Sequence, residues 1–124
     1  MNIDNLSIIN IAYLGDAIYE VYIREKLLKS STMKVEELQK HATTYVSAKG
    51  QARILQNLLD NNILTEDEID IVKRGRNYKR NTHPKHTDII TYKLSTGFEA
   101  LIGYLYLTNK KERLKTILKE IEVK

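Results

Sequence analysis

The chain contains no cysteine. That excludes disulfides, cysteine-ligated zinc and thiol catalysis, and it suits a reducing compartment. One proline and five glycines are too few for a linker-rich, fibrous or disordered chain. No apolar run reaches the length of a membrane span. The opening Met1 to Asn5 lacks the basic and apolar regions of a secretory signal, so the expected location is cytoplasmic, with no membrane partner. No stretch alternates in the manner of a strand between turn signals, and no internal repeat or low-complexity tract is found. What is present is 124 residues, 42% hydrophobic and 29% charged, enough for one globular domain spanning 1–124 with a real core.

The formal charge is +4, but it is unevenly spread. From Ile71 to Thr87 there are six basic residues (Lys73, Arg74, Arg76, Lys79, Arg80 and Lys85) and no acid, so the rest of the chain is net negative. A local basic block suits a phosphate-bearing partner better than it suits general solubility. A solvated basic loop explains the same charges about equally well.

Hydrophobic periodicity is helical almost throughout and predicts an all-α domain of about six or seven helices. Asn5 to Ser30 reads as one helix or two abutting ones. Leu14, Ala17, Ile18, Val21 and Leu28 form one apolar stripe, and Ile23 and Leu27 lie on another side. A helix apolar on two sides is expected at the centre of its domain. Ser30 to Thr32 breaks it. Helices follow over about Lys34–His41 and Tyr45–Leu59. Thr65 to Glu68 has the pattern of a capping box, opening a helix that ends near Gly75. Arg76 to Thr87 is a loop long enough to suggest function. Thr87 or Asp88 then caps a helix through Leu107, and Lys111–Val123 is a final amphipathic one.

Two segments carry chemistry: Ala12 to Glu20, around Gly15-Asp16, and Ser95 to Gly103, around Glu99. Each sets a carboxylate beside glycine and small residues in an otherwise apolar helix. Glycine inside a helix costs about 1 kcal/mol relative to alanine, and close approach of another helix is a reason to accept it. Glu20 lies one turn after Asp16 and faces the same way. An ionised carboxylate buried without a partner is costly, so two of them in one small core would share a cation. Oxygen ligands suit Mg²⁺, with Mn²⁺ as a substitute. The plainer reading is that both acids pair with Lys or Arg or cap backbone groups.

These residues resemble a known family. Leu14-Gly15-Asp16-Ala17 is similar to the ribonuclease III signature. Phe98-Glu99-Ala100-Leu101-Ile102-Gly103, followed by Leu105-Tyr106-Leu107, is similar to that family's second acidic motif. Segments around Val46 to Ala52, Lys73 to Asn77 and Thr82 to Asp88 resemble the Mini-III subfamily, whose members consist of the catalytic domain without a double-stranded-RNA-binding domain. The resemblance implies an all-α, metal-dependent, homodimeric endoribonuclease that cleaves double-stranded RNA. Each subunit would cut one strand, leaving 5′-phosphate and 3′-hydroxyl ends, with precursor large-subunit ribosomal RNA as substrate. Asp16 and Glu99 would be the catalytic, metal-organising acids. The family has further acids seven residues before its signature Asp and three before its second Glu. Here those positions are Ile9 and Thr96, which leaves the metal count open.

A-form RNA is read mainly through phosphate and 2′-hydroxyl contacts. The expected partners are Arg74, Arg76, Lys79, Arg80 and Lys85 for phosphates and Asn77 for a 2′-hydroxyl. His83 and His86 have no cysteine or helical frame for zinc and read as loop residues near the RNA, and His41 reads as structural. The eight tyrosines against one phenylalanine are expected in core packing and a dimer interface more than in base stacking. The competing readings are a non-catalytic double-stranded-RNA-binding dimer of the same fold, and a helical scaffold whose acids are simply paired.

Overall fold

The computed structural model describes residues 2–30, 34–79 and 85–121. Among these residues a short 3₁₀ turn is followed by six α-helices: α1 (Ile8–Ser30), α2 (Val35–Val46), α3 (Ala48–Asp60), α4 (Glu66–Arg76), α5 (Ile89–Leu107) and α6 (Lys111–Lys119). There is no strand among the described residues. This is the all-α architecture that the periodicity predicts.

The central helix is α5, not α1. Ser95 to Phe98, Ala100 to Gly103 and Leu105 are all buried, and α1, α3, α4 and α6 pack around it. Asp88 starts it, its Oδ1 accepting from the Thr91 amide at 2.9 Å. The packing against α1 is backbone to backbone. A Cβ added to Gly15 would overlap the Glu99 carbonyl oxygen, and one added to Gly103 would overlap the Ile11 carbonyl oxygen. The Gly15 reading is thus supported: small residues let two helix backbones touch, and the neighbour is α5.

Only one of the two apolar sides expected of α1 is in the core. Its core side is Ile8, Ile11, Ala12, Gly15, Tyr19, Ile23 and Leu27. The stripe through Leu14 and Ile18 is only half-buried, and Ala17, Val21 and Leu28 are exposed. Only the face that carries Gly15 permits the close approach to α5, so it becomes the core despite its polar members. Tyr19 is completely buried and meets Phe98 edge to face, with ring centroids 4.9 Å apart. Its hydroxyl donates to the Tyr45 carbonyl oxygen at 2.9 Å. Burial pushes this phenol well above its ordinary pKa.

α2 runs to Val46, past the predicted end near His41. Thr43 and Thr44 are weak helix formers, but Ala42 and Tyr45 are buried, and their packing overrides the local preference. α3 then starts after Ser47, whose hydroxyl accepts from the Gly50 amide at 3.1 Å. His41 is half-buried beside Tyr45, as expected of a structural residue. The capping box at Thr65–Glu68 is present in both directions. Glu68 is buried and takes a two-pronged ion pair from Arg113 on α6, with both N–O distances 2.8 Å.

Candidate active site

α1 and α5 touch at Gly15 and Glu99. The residue after Gly15 is Asp16, so this contact brings the two predicted acids to one place. Both line a groove of about 970 Å³. Ile9 and Thr96, the two positions at which the resemblance leads one to expect further acids, line the same groove. Four positions singled out in two separate motifs therefore converge on one surface.

The acids are not buried in the core as expected. Asp16 is exposed and Glu99 is half-buried. Asp16 makes no ion pair among the described residues. The reason is the geometry of the crossing: Gly15 occupies the contact, so its neighbour is turned to the rim. Glu20 does not join them. It pairs with Arg24 at 3.1 Å one turn along α1 and is not among the groove residues. Its position thus gives no support to a supplementary role in the site.

The back of the groove contains a side chain without a role in the sequence reading. Gln51 on α3 is 1% exposed. Its Nε2 donates to Glu99 Oε2 at 3.4 Å and to the Val46 carbonyl oxygen at 3.3 Å. Its Oε1 is buried with no hydrogen-bond partner among the described residues. A signal for it exists in the sequence: α3 has Ala48, Ala52, Leu55 and Leu58 on its inward face, and Gln51 is the polar residue within that face. Thr96 and Ser95 are satisfied locally, their hydroxyls donating to the Tyr92 carbonyl oxygen at 3.0 and 2.8 Å. Tyr13, Tyr78 and Tyr92 line the groove, while Tyr19 and Tyr45 are buried in the core. These five tyrosines therefore divide between packing and the groove wall.

The basic residues are placed less uniformly. Lys79 lines the groove. Lys73, Arg74 and Arg76 occupy the last turn of α4, where cations also complement the helix dipole. Arg74 is exposed, and Arg76 is half-buried with its Nε donating to Asn77 Oδ1 at 3.4 Å. Asn77 is the C-cap of α4. Lys85 and His86 are exposed in the segment that leads into α5. Arg80 and His83 lie outside the described residues.

Two carboxylates are a sparse donor set, and no group of three His, Cys, Asp or Glu side chains gathers among the described residues. Mg²⁺ suits such a set, because it keeps several waters and is often held by one or two carboxylates together with substrate phosphates. The exposure of Asp16 and its lack of an ion-pair partner fit that use. A cage-type Ca²⁺ site or a tetrahedral zinc site would need more ligands than the described groove offers.

An all-α fold sets an acid from each of two touching helices on an open groove with Lys79 in its wall, an oxygen donor pair of the kind that suits a divalent cation. The chain belongs to the ribonuclease III domain family, whose pattern matches residues 10–110. Its relatives include Mini-ribonuclease 3 of Enterococcus faecalis, 50% identical over 108 residues that cover 87% of this chain and 82% of the relative. Mini-ribonuclease 3 of Symbiobacterium thermophilum is 50% identical over 110 residues, covering 89% and 83%. An X-ray crystal structure of a Fusobacterium nucleatum protein superposes with a TM-score of 0.83 at 36% identity, covering 93% of this chain and 90% of that one. The chain is an endoribonuclease of the family that acts on double-stranded RNA. That removes the scaffold and the non-catalytic binder as readings of the whole protein.

Proposed function

We propose that the groove between α1, α3 and α5 is the catalytic centre, and that Asp16 and Glu99 hold a Mg²⁺ ion there. The observation that carries this is the backbone contact of Gly15 with Glu99, which puts one acid from each motif on a single open surface. When bound, the metal supplies a Lewis acid that stabilises charge on the phosphodiester oxygens during hydrolysis. Asp16, exposed at the rim, would hold the ion from the solvent side, where the RNA backbone has access. Glu99, half-buried, is the more fixed of the two and sets the orientation. Ile9 and Thr96 contribute no charge, so metal affinity depends on phosphate from the substrate more than it would with four acids.

Residues 1–124 act on this reading as one catalytic domain in the cytoplasm. Among the described residues no helix is long and apolar enough to cross a membrane. The substrate is a duplex within precursor large-subunit ribosomal RNA. Arg74, Arg76, Lys79, Arg80 and Lys85 bind its phosphates, and Asn77 positions the loop or a 2′-hydroxyl. A charge reversal of Arg74 and Arg76 lowers affinity and flattens its dependence on salt, by about one unit of slope for each side chain that no longer meets a phosphate. Unchanged affinity and slope would remove both residues from the interface.

The protein works as a homodimer. Tyr13, Val21 and Leu28 are 84%, 64% and 65% exposed, and Leu14, Ala17 and Ile18 lie on the same side of α1. A second copy of this face is a natural cover, since a two-fold axis brings the same patch to itself. It also provides one site for each strand of a duplex.

The deciding experiment is cleavage of long double-stranded RNA with Mg²⁺, beside Asp16→Asn and an EDTA control. Discrete products that require both Mg²⁺ and Asp16 are expected. Equal cleavage by Asp16→Asn would move the centre elsewhere on the molecule.

A further inference from the structure

Gln51 is enclosed by α3 and α5, 1% exposed, and contacts one of the proposed metal-binding acids. The direction of its amide is set by its surroundings. Both atoms within reach of its Nε2, Glu99 Oε2 at 3.4 Å and the Val46 carbonyl oxygen at 3.3 Å, are acceptors. A flipped amide would place its carbonyl oxygen against two other oxygens. The NH₂ must therefore face them, which leaves Oε1 buried without a partner among the described residues. Such a group normally costs stability, and buried unsatisfied atoms in folded proteins call for a reason. A methionine or leucine at this point of the apolar face of α3 would pack without that cost.

The reason lies in what the other end of the amide does. Val46 ends α2, and Gln51 is in the first turns of α3. One side chain thus ties the α2–α3 junction to a carboxylate on α5. From this geometry we infer that Gln51 is a positioning residue: it orients the Glu99 carboxylate toward the groove and so sets how tightly the site takes a divalent cation. The inference rests on the proposed site at Asp16 and Glu99. Gln51 touches neither metal nor RNA in this role and acts through Glu99. Groups that orient a metal ligand typically change metal affinity or activity about 10- to 100-fold when removed.

The test uses Gln51→Met, which keeps the volume and removes both polar functions, with Glu99→Gln as the reference. Mn²⁺ uptake is followed by electron paramagnetic resonance on the protein mixed with already cleaved duplex RNA. Cleavage of fresh duplex is measured separately against Mg²⁺ concentration. In Gln51→Met, Mn²⁺ affinity falls about tenfold, and half-maximal cleavage needs correspondingly more Mg²⁺. RNA affinity in EDTA stays at the wild-type value. A lower melting temperature with unchanged Mn²⁺ affinity would overturn the inference, because it is what a purely structural glutamine gives. Should Gln51→Met not fold, Gln51→Leu removes the same donor with a more compact apolar side chain. It is expected to lower kcat at least tenfold with unchanged RNA affinity, and a wild-type rate would overturn the inference. If Glu99→Gln itself keeps full Mn²⁺ uptake and cleavage, the site reading has failed and Gln51 falls with it. If Glu99→Gln loses both while Gln51→Met keeps both, only the role of Gln51 has failed.

Discussion

A single methyl group at Gly15 would overlap the Glu99 carbonyl oxygen. The obstacle is backbone, which cannot rotate aside, so Gly15→Ala must separate α1 from α5. The expected loss is about 3 kcal/mol, at the upper end for overpacking, seen as a lower denaturant midpoint. Cleavage should fall further than stability alone explains, because the two acids move apart. Asp16 and Glu99 are legible in the sequence as residues: each is an acid among small neighbours at helical spacing. Their exposure is not. A helical wheel gives the direction of a side chain but not which face another helix will cover. Asp16 looks buried because its neighbours are apolar, and it is exposed because Gly15 beside it takes the contact. Gln51 escapes notice for a related reason, since a lone glutamine on an apolar stripe looks like a tolerated exception until its partners are in view.

At the level of elements, the capping box of α4 shows how local and distant signals combine. Thr65 and Glu68 announce the start of the helix in sequence. Nothing in sequence announces that Arg113, 45 residues later, grips the same carboxylate. Burial pushes the Glu68 carboxyl up, but hydrogen bonds from Arg113 and Thr65 outweigh it and hold it below the ordinary value. The stabilisation is therefore complete above the unfolded value of about pH 4.3, and it is lost as pH falls through the lower folded value. Arg113→Ala leaves Glu68 buried without its cation. A loss of about 3 kcal/mol at neutral pH is expected, the low end for breaking a buried pair because Arg113 remains partly solvated. In that variant only the Thr65 hydrogen bonds still oppose burial, so the Glu68 carboxyl rises above its wild-type value, and acid now relieves it. Denaturation curves of variant and wild type should thus converge below about pH 4. The α2–α3 boundary departs from its predicted place on similar grounds, as the burial of Ala42 and Tyr45 keeps helical a stretch that its threonines would loosen.

For the whole molecule, the fold class and helix order can be read from periodicity, but the identity of the central helix cannot. α1 and α5 are both apolar on more than one side. The backbone contacts at Gly15 and Gly103, together with packing from α3, α4 and α6, make α5 the centre and leave one apolar side of α1 at the surface. If a second copy covers that side, Val21→Lys should yield monomers in sedimentation at concentrations where the wild type is dimeric. It should leave the melting curve of the subunit nearly unchanged, since Val21 is 64% exposed within it. A variant that stays dimeric would place the interface on another surface. The crossing of α1 and α5 has one more consequence. The spacing between the two acids is measured out by peptide backbone, which exchanges among the surrounding apolar side chains leave unaltered so long as Gly15 and Gly103 are kept. Leucines, isoleucines and aromatics around α5 can be exchanged over generations while that ruler keeps its length. The interior of such a protein is free to drift, and the pair of carboxylates need not drift with it.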